Sequence, residues 1–463
     1  EWFGAVADAT GLTGVGTDNT AALQNLLTVA SALKVKAVIP TGRKYRCASS
    51  SYSVHGRRVV LFYDSDLDLE VRGEIVHDAQ TVDLGGPTIL WPNSGNNPAP
   101  EDRKKRVHIT FVGPGCISYP NDAVFAGSSR KGSITIAWTD YFSVTRVATK
   151  GTTATSFQLT VSSSTYGLID GGMIGVPDAP SGFGDDGLHF IGGCQNIVAR
   201  GGISRSGDDC LSFTQEAGDG TGTTWHDNQI MENILVSDWL CDTERAKAIK
   251  FHIDSSVRNC AIRNITMTNI HGLVRGSERG AGIAALVDHV AGSGNIIEKI
   301  RINGVNMDAG PLPKSQPDAG TDLGNLVRLQ NVDDVQITGV LLRGSSNALV
   351  SMRHCRRCVV EGDFYPAGES APLLTGVGVV SIVTQGNSNR RIALSGSPDL
   401  SAVVAQLDAF TTAAVETDYK KPIVRLTGMT GVGYNGSFVI LAADDTAKWI
   451  EIENLRPGQS DET

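Results

Sequence analysis

Two carboxylates stand side by side in "RSGDDCLSF": Asp208 and Asp209, just after a glycine and just ahead of an apolar run that reads as a strand. Adjacent like charges at a strand edge are costly unless a ligand or a reaction uses them. A third acid, Asp186 in "GDDG", lies 22 residues earlier. Carboxylates that share a small volume raise one another's pKa, so one keeps its proton while the others ionise. Such a set supplies both the acid and the base of a hydrolysis. The competing reading is an ordinary turn, which Gly-Asp often opens. Asp185 reads as a turn or supporting residue beside Asp186.

Other polar residues cluster downstream. Trp225 and His226 in "TTWHDN" sit where a loop would reach over a groove, the indole either stacking on the apolar face of a sugar or simply packing. Arg245, Lys247, Lys250 and His252 in "CDTERAKAIKFHID" either line the groove and meet an acidic sugar or form a solvated basic turn. His189 in "GLHF" alternates with apolar neighbours and reads as a core or stacking residue. Glu216 and Asp219 read as solvated loop acids. No His/Cys/Asp set has metal-ligand spacing, and neither a Ser-His-Asp set nor a phosphate-cradling glycine loop is evident, so no metal and no cofactor is expected.

These residues need a scaffold that brings sequence-distant positions together. "GVGTDNTAALQNLLTVASALK" carries N-cap oxygens on Thr17, Asp18 and Asn19, then apolar residues at helical spacing: Leu23, Leu26, Leu27, Ala30 and Leu33. This predicts a helix over Thr20–Leu33. Beyond it the helical signal fades for some 350 residues. Short alternating runs replace it, each broken by Gly, Asn, Asp or Ser, such as "QNIVARGGISRSGDDCLSF", "NCAIRNITMTNIHG" and "DDVQITGVLLRG". Several open with Asn or Asp, at Asn196, Asn233, Asn259, Asn295 and Asp334, all but Asn259 before a β-branched residue, and spaced by 37, 26, 36 and 39 residues. A unit of twenty-odd residues, enlarged in places by a loop, accounts for that series and predicts an all-β, single-stranded right-handed parallel β-helix. An antiparallel sandwich would need hairpin turns of the Asn-Gly or Asp-Gly kind, and no convincing series of them occurs. The expected organisation is an opening segment with the capping helix over 1–46, the β-helix over 47–384, and a cap or trimerisation domain over 385–463.

Composition narrows the partners. The chain has 463 residues, 53 of them Gly, with a formal charge of −9 and a pI near 5.5. No Lys/Arg-dense stretch favours nucleic acid or an anionic membrane surface, and no apolar run approaches a membrane span. The abrupt start at "EWFGAV" reads as a trimmed or processed end. Eight scattered cysteines inside apolar runs read as free, buried residues, including the pair in "CRRC", Cys355 and Cys358.

Two stretches resemble known families. "WFGAVADATGLTGVGTDNTAALQ" followed by "AVIPTGRKYR" is similar to the start of pectate-lyase-like β-helices, bacteriophage tailspikes above all. "GDDGLHFIGGCQNIVARGGISRSGDDCLSF" resembles the paired Asp motifs of the polygalacturonase-type glycoside hydrolases. That resemblance implies Asp208 as the general acid, Asp186 and Asp209 as the residues that activate water, and inversion at the anomeric carbon. The 22-residue offset would be one coil, stacking the two motifs on neighbouring rungs. The family's Gly-His-Gly is absent, with Lys250 and His252 where it would lie. Its Arg-Ile-Lys is missing from "GSERGAGIAALV", which speaks against a pectin substrate. The tailspike resemblance implies a homotrimer on a phage tail, acting outside the cell on a bacterial surface polysaccharide: a capsule, exopolysaccharide or O-antigen. The alternatives are a lyase on a uronic acid polymer, using Lys250, Arg245 or His252 at the C5 proton, a non-catalytic carbohydrate-binding spike, or a secreted bacterial enzyme.

Overall fold

A computed structural model describes residues 2–10, 15–47, 66–77, 106–118, 131–150, 156–175, 186–216, 227–243, 246–274, 282–288, 292–309, 327–343 and 350–365, together with short strands outside these ranges. Among the described residues the α-helix Thr20–Leu33 precedes the sheets and buries Leu23, Leu27 and Ala30. Asp18 supplies the N-terminal oxygen: its Oδ1 accepts from the Thr20 amide at 3.0 Å. Asn19 instead ties the preceding chain down, accepting from the Val6 amide at 2.6 Å and donating to the Val6 carbonyl at 2.8 Å. The helix ends at Lys34, in the left-handed region at φ 54°.

Among the described residues two parallel sheets follow, of 14 and 10 strands. The longer one runs from Ala37–Ile39 through Gln195–Ser206, Ile230–Thr243 and Ala261–Val274 to Val359–Tyr365. The shorter one includes Ser156–Ser162, Asp186–Ile191, Leu211–Gln215, Ile249–Ile253, Ile283–Val287 and Val327–Gln330. The chain visits the two sheets alternately, so each circuit stacks in register on the last. This is a right-handed parallel β-helix. Strands Val379–Thr384, Arg390–Leu394, Ile423–Leu426, Gly436–Asp444 and Trp449–Ile452 pair antiparallel in a separate five-stranded sheet. Val379–Thr384 thus belongs with the C-terminal strands rather than with the last coils.

Side chains alternate in and out along each strand. In the shorter sheet Leu159, Leu188, Leu211, Ile249 and Ile283 form one inward column, all fully buried. Phe190, Phe213 and Phe251 form the next, their rings stacked at 4.9 and 4.8 Å. The outward column beside them reads Thr160, His189, Ser212, Lys250, Ala284 and Arg328.

Corners are built from residues at positive φ. Tyr141, Tyr166, Asn196, Asn233, Asn264, Lys299 and Asp334 occupy one aligned column, separated by 25, 30, 37, 31, 35 and 35 residues. Asn and Asp tolerate this region because a short polar side chain bonds locally. Here the bonding runs between coils: Asn233 donates to Asn196 at 3.1 Å, and Asn264 to Asn233 at 3.4 Å. The repeat is therefore longer than the twenty-odd residues expected. Asn259 marks a different corner, where it donates to Asn228 at 3.1 Å, and Asn295 follows one formed by Gly294. None of the eight cysteines is in a disulfide.

Candidate active site

The Asp208–Asp209 turn is gripped from both sides by backbone bonds. The amide of Gly187 donates to the Asp209 carbonyl at 2.8 Å, and that of Leu188 to the Cys210 carbonyl at 2.9 Å. On the other side Cys210 and Leu211 donate to the carbonyls of Lys247 and Ala248, both at 3.0 Å. The Asp208 carbonyl accepts from the hydroxyls of Ser206 and Thr243, which face each other in the longer sheet. Gly187 is required here: a Cβ would lie 2.7 Å from both the Cys210 carbonyl oxygen and the Ser204 Cβ. The glycine of "GDDG" thus lets Asp186 approach the next coil.

That approach brings the three acids together. One carboxylate oxygen from each of Asp186, Asp208 and Asp209 lies within 4.8 Å of the others. Asp186 Oδ1 accepts from the Asp209 amide at 3.2 Å, and Asp186 Oδ2 touches His189 Nδ1 at 2.8 Å, a short but bent contact. Asp209 is 1% exposed. Its Oδ1 accepts from the Lys247 amide at 3.0 Å, and its Oδ2 forms an ion pair with Lys250 Nζ at 2.8 Å. Asp208 is half-buried, whereas Asp186 and Asp209 are buried.

The electrostatics divide the triad. Burial, reinforced by the charge of Asp209, pushes the Asp186 carboxyl up to about 8. Burial and the charges of Asp209 and Asp186 push Asp208 up to about 7. Burial also acts upward on Asp209 as its largest single influence, but Lys250 and Lys247 outweigh it and hold that carboxyl below the usual range. Burial alone would lower Lys250, yet Asp209, Asp186 and Asp208 together raise it well above an ordinary lysine. Near neutrality the set therefore holds one fixed anion, one fixed cation and two carboxyls that share protons. Lys250, expected to line the groove, pairs with Asp209. The three acids are grouped closely enough to hold a cation, and the Lys250 ammonium supplies a positive charge beside Asp209.

His252 lies two residues along, on the next outward column, with Nε2 3.3 Å from Asp288 Oδ2. Its ring, Asp254 and Asp288 also group within 4.8 Å, but Asp254 Oδ1 already accepts from the Ser256 amide at 2.7 Å. Trp225, His226, Arg245, Asp185 and Asp219 lie outside the described residues. Sequence reasoning passed over three participants. His189, read as a core residue, touches Asp186 and reaches Thr214 Oγ1 with Nε2 at 2.7 Å. Ser206 and Thr243 carried no signal, since a hydroxyl that clamps a carbonyl looks like any strand residue.

No protein-family model matches this chain, and no curated protein matches it. Solved structures do. A double mutant of the tailspike protein of the E. coli bacteriophage HK620 superposes with a TM-score of 0.53 at 12% identity, over 78% of this chain and 62% of that one. The same tailspike in complex with a pentasaccharide gives 0.50 at 15% identity over the same shares. An endo-xylogalacturonan hydrolase from Aspergillus tubingensis gives 0.43 at 12% identity, over 80% of this chain and 99% of that one. The chain spans less than two thirds of the tailspike's length. At these identities the likeness establishes architecture: the chain has the right-handed parallel β-helix fold of the HK620 tailspike.

Proposed function

We propose that the chain is a tailspike-type depolymerase that hydrolyses glycosidic bonds in a bacterial surface polysaccharide. The observation that carries this reading is the divided triad: three carboxyls within 4.8 Å, one locked as an anion by Lys250 and two pushed up toward neutrality. Asp208, the least buried of the three, donates its proton to the glycosidic oxygen. Asp209 and Asp186 hold the attacking water, with Asp209 the ionised partner. Asp186 is pushed higher than Asp208, so the assignment of the acid rests on access to substrate rather than on proton affinity alone. The resemblance to polygalacturonases implies inversion. Inverting pairs usually stand about 6.5–9.5 Å apart and retaining pairs about 5–5.5 Å. The tighter packing here makes proton NMR of the first-formed anomer the direct measurement of stereochemistry.

A lyase is the second reading. It needs a neutral base at the C5 proton, and Lys250 is held protonated by its three acidic neighbours. A non-catalytic carbohydrate-binding spike is the third. The HK620 tailspike is known in complex with a pentasaccharide, which supports a polysaccharide partner for the shared fold. A homotrimer on a virion tail, acting outside the cell, completes the reading. Digestion of a panel of capsules and O-antigens, with mass spectrometry of the product ends, tests it. Saturated ends carrying an added water support hydrolysis. Unsaturated, ultraviolet-absorbing ends establish a lyase, and intact polymer that stays bound establishes a spike.

A further inference from the structure

His189 is 1% exposed and bridges two coils. It points outward between the inward-facing Leu188 and Phe190, flanked in its column by Thr160 and Ser212. One ring nitrogen touches Asp186 Oδ2 at 2.8 Å, and the other meets Thr214 Oγ1 at 2.7 Å.

We propose that His189 and Thr214 form a buried relay that positions Asp186 and matches its carboxyl in both protonation states. This rests on the reading of the triad as the reacting group. A neutral imidazole has one donor and one acceptor, and a hydroxyl can act as either. When Asp186 is protonated, its O–H donates to Nδ1, and Nε2–H donates to Thr214. When Asp186 is ionised, Nδ1–H donates to it, and Nε2 accepts from the Thr214 hydroxyl. The two arrangements differ in tautomer and hydroxyl rotation, together with a small turn of the ring that straightens the bent Nδ1–Oδ2 contact. Asp186 Oδ1 stays on the Asp209 amide throughout. The relay makes His189 a positioning residue, since it acts on the reaction through Asp186. The charged groups that face Asp186 are Asp209, Asp208, Glu216 and Lys250, with Lys247 behind Asp209 and the His252–Asp288 pair beyond Thr214. All are held in common by the variants below.

The test needs no substrate. Ring-15N NMR of histidine-labelled full chain, with His189→Asn to identify the His189 signals, reports which nitrogen carries the hydrogen. Carboxyl-13C spectra, with Asp186→Asn to identify its signal, follow Asp186. As pH rises through the Asp186 midpoint, the hydrogen should pass from Nε2 to Nδ1. A ring that keeps one tautomer, or that charges to imidazolium, across that range overturns the proposal. His189→Phe should raise the Asp186 midpoint by about one pH unit, because a hydrogen bond to the ionised form is worth more than one to the neutral form. His189→Asn, which keeps an amide in place of Nδ1, should recover most of that shift. An unmoved midpoint in a folded Phe variant also overturns the proposal, and if that variant does not fold the wild-type tautomer measurement decides alone. Full depolymerase activity in Asp186→Asn, beside an intact tautomer switch, would sink the catalytic reading and leave the relay standing.

Discussion

Replacing Lys250 with methionine removes the cation from the triad while keeping most of the side chain's volume. Lys250 Nζ stands 2.8 Å from Asp209 Oδ2, and the Asp209 side chain is 1% exposed. Removing one partner of a buried ion pair typically costs about 3–5 kcal/mol. A second limit applies, because Asp209 can escape by taking up a proton. From an unfolded pKa of about 3.9, holding that proton at pH 7 costs about 4 kcal/mol, at 1.36 kcal/mol per unit. The two figures agree, so the expected loss at pH 7 is about 3–4 kcal/mol. The sign of the pH dependence follows. In the wild type the Asp209 carboxyl is depressed, so its contribution is present above the unfolded pKa and lost as pH falls through the folded one. In Lys250→Met the folded pKa is raised, and the folded state is penalised more at each higher pH. The stability gap between the two proteins should therefore widen by up to about 1.4 kcal/mol per unit between pH 4 and pH 7. Urea unfolding at pH 4.5, 6 and 7.5 measures it. A gap that is flat with pH, or a variant as stable as the wild type at pH 7.5, would refute the assignment of Lys250 as the partner of a fixed anion.

The remaining expectations concern the same corner and the assembly. Asp208→Asn, Asp209→Asn and Asp186→Asn should each lose about 100- to 10,000-fold in depolymerase rate with circular dichroism unchanged; near-full activity in Asp208→Asn would move the site elsewhere. Burial raises the folded Asp208 pKa to about 7, so ionisation above the unfolded value destabilises the wild type. Asp208→Asn should therefore gain stability relative to wild type between pH 5 and pH 8, and a gain that shrinks with pH would contradict the shift. Gly187→Ala forces a Cβ to 2.7 Å from the Cys210 carbonyl oxygen and should cost about 1–3 kcal/mol in thermal or urea unfolding. Light scattering should give about three times the 48.9 kDa chain mass, and a single-chain mass at micromolar concentration would exclude the trimer.

Much of this fold was legible because its rules are local. The Thr20–Leu33 helix follows from leucine spacing alone. The corners show because left-handed backbone selects Asn and Asp, as at Asn196, Asn233 and Asp334. The period was misread because two corner types share that residue preference, and Asn259 belongs to the second. Tyr141, Tyr166 and Lys299 fill the first column without its sequence signature. In the site, Asp186, Asp208 and Asp209 stood out because clustered acids need a reason to exist. Their division into a fixed anion and two proton-sharing carboxyls did not, because it depends on Lys250 from the following coil. His189 was hidden by its apolar neighbours: alternation tells which way a side chain points, not that a buried outward face carries chemistry.

The triad and its lysine are spread over three consecutive coils, joined only by register. Asp186 lies on the first, Asp208 and Asp209 on the second, and Lys250 on the third. No single circuit contains a site, and none is formed until the third has docked on the second. The cluster of three acids and their lysine is thus complete only when three coils are stacked. It also sets what heredity can change. A loop enlarged at a corner leaves the vertical spacing alone, as coil lengths from 25 to 37 residues show. A whole circuit inserted between Asp186 and Asp209 would part the acids by about a further 4.8 Å, so a longer turn preserves the cluster and an added rung there does not.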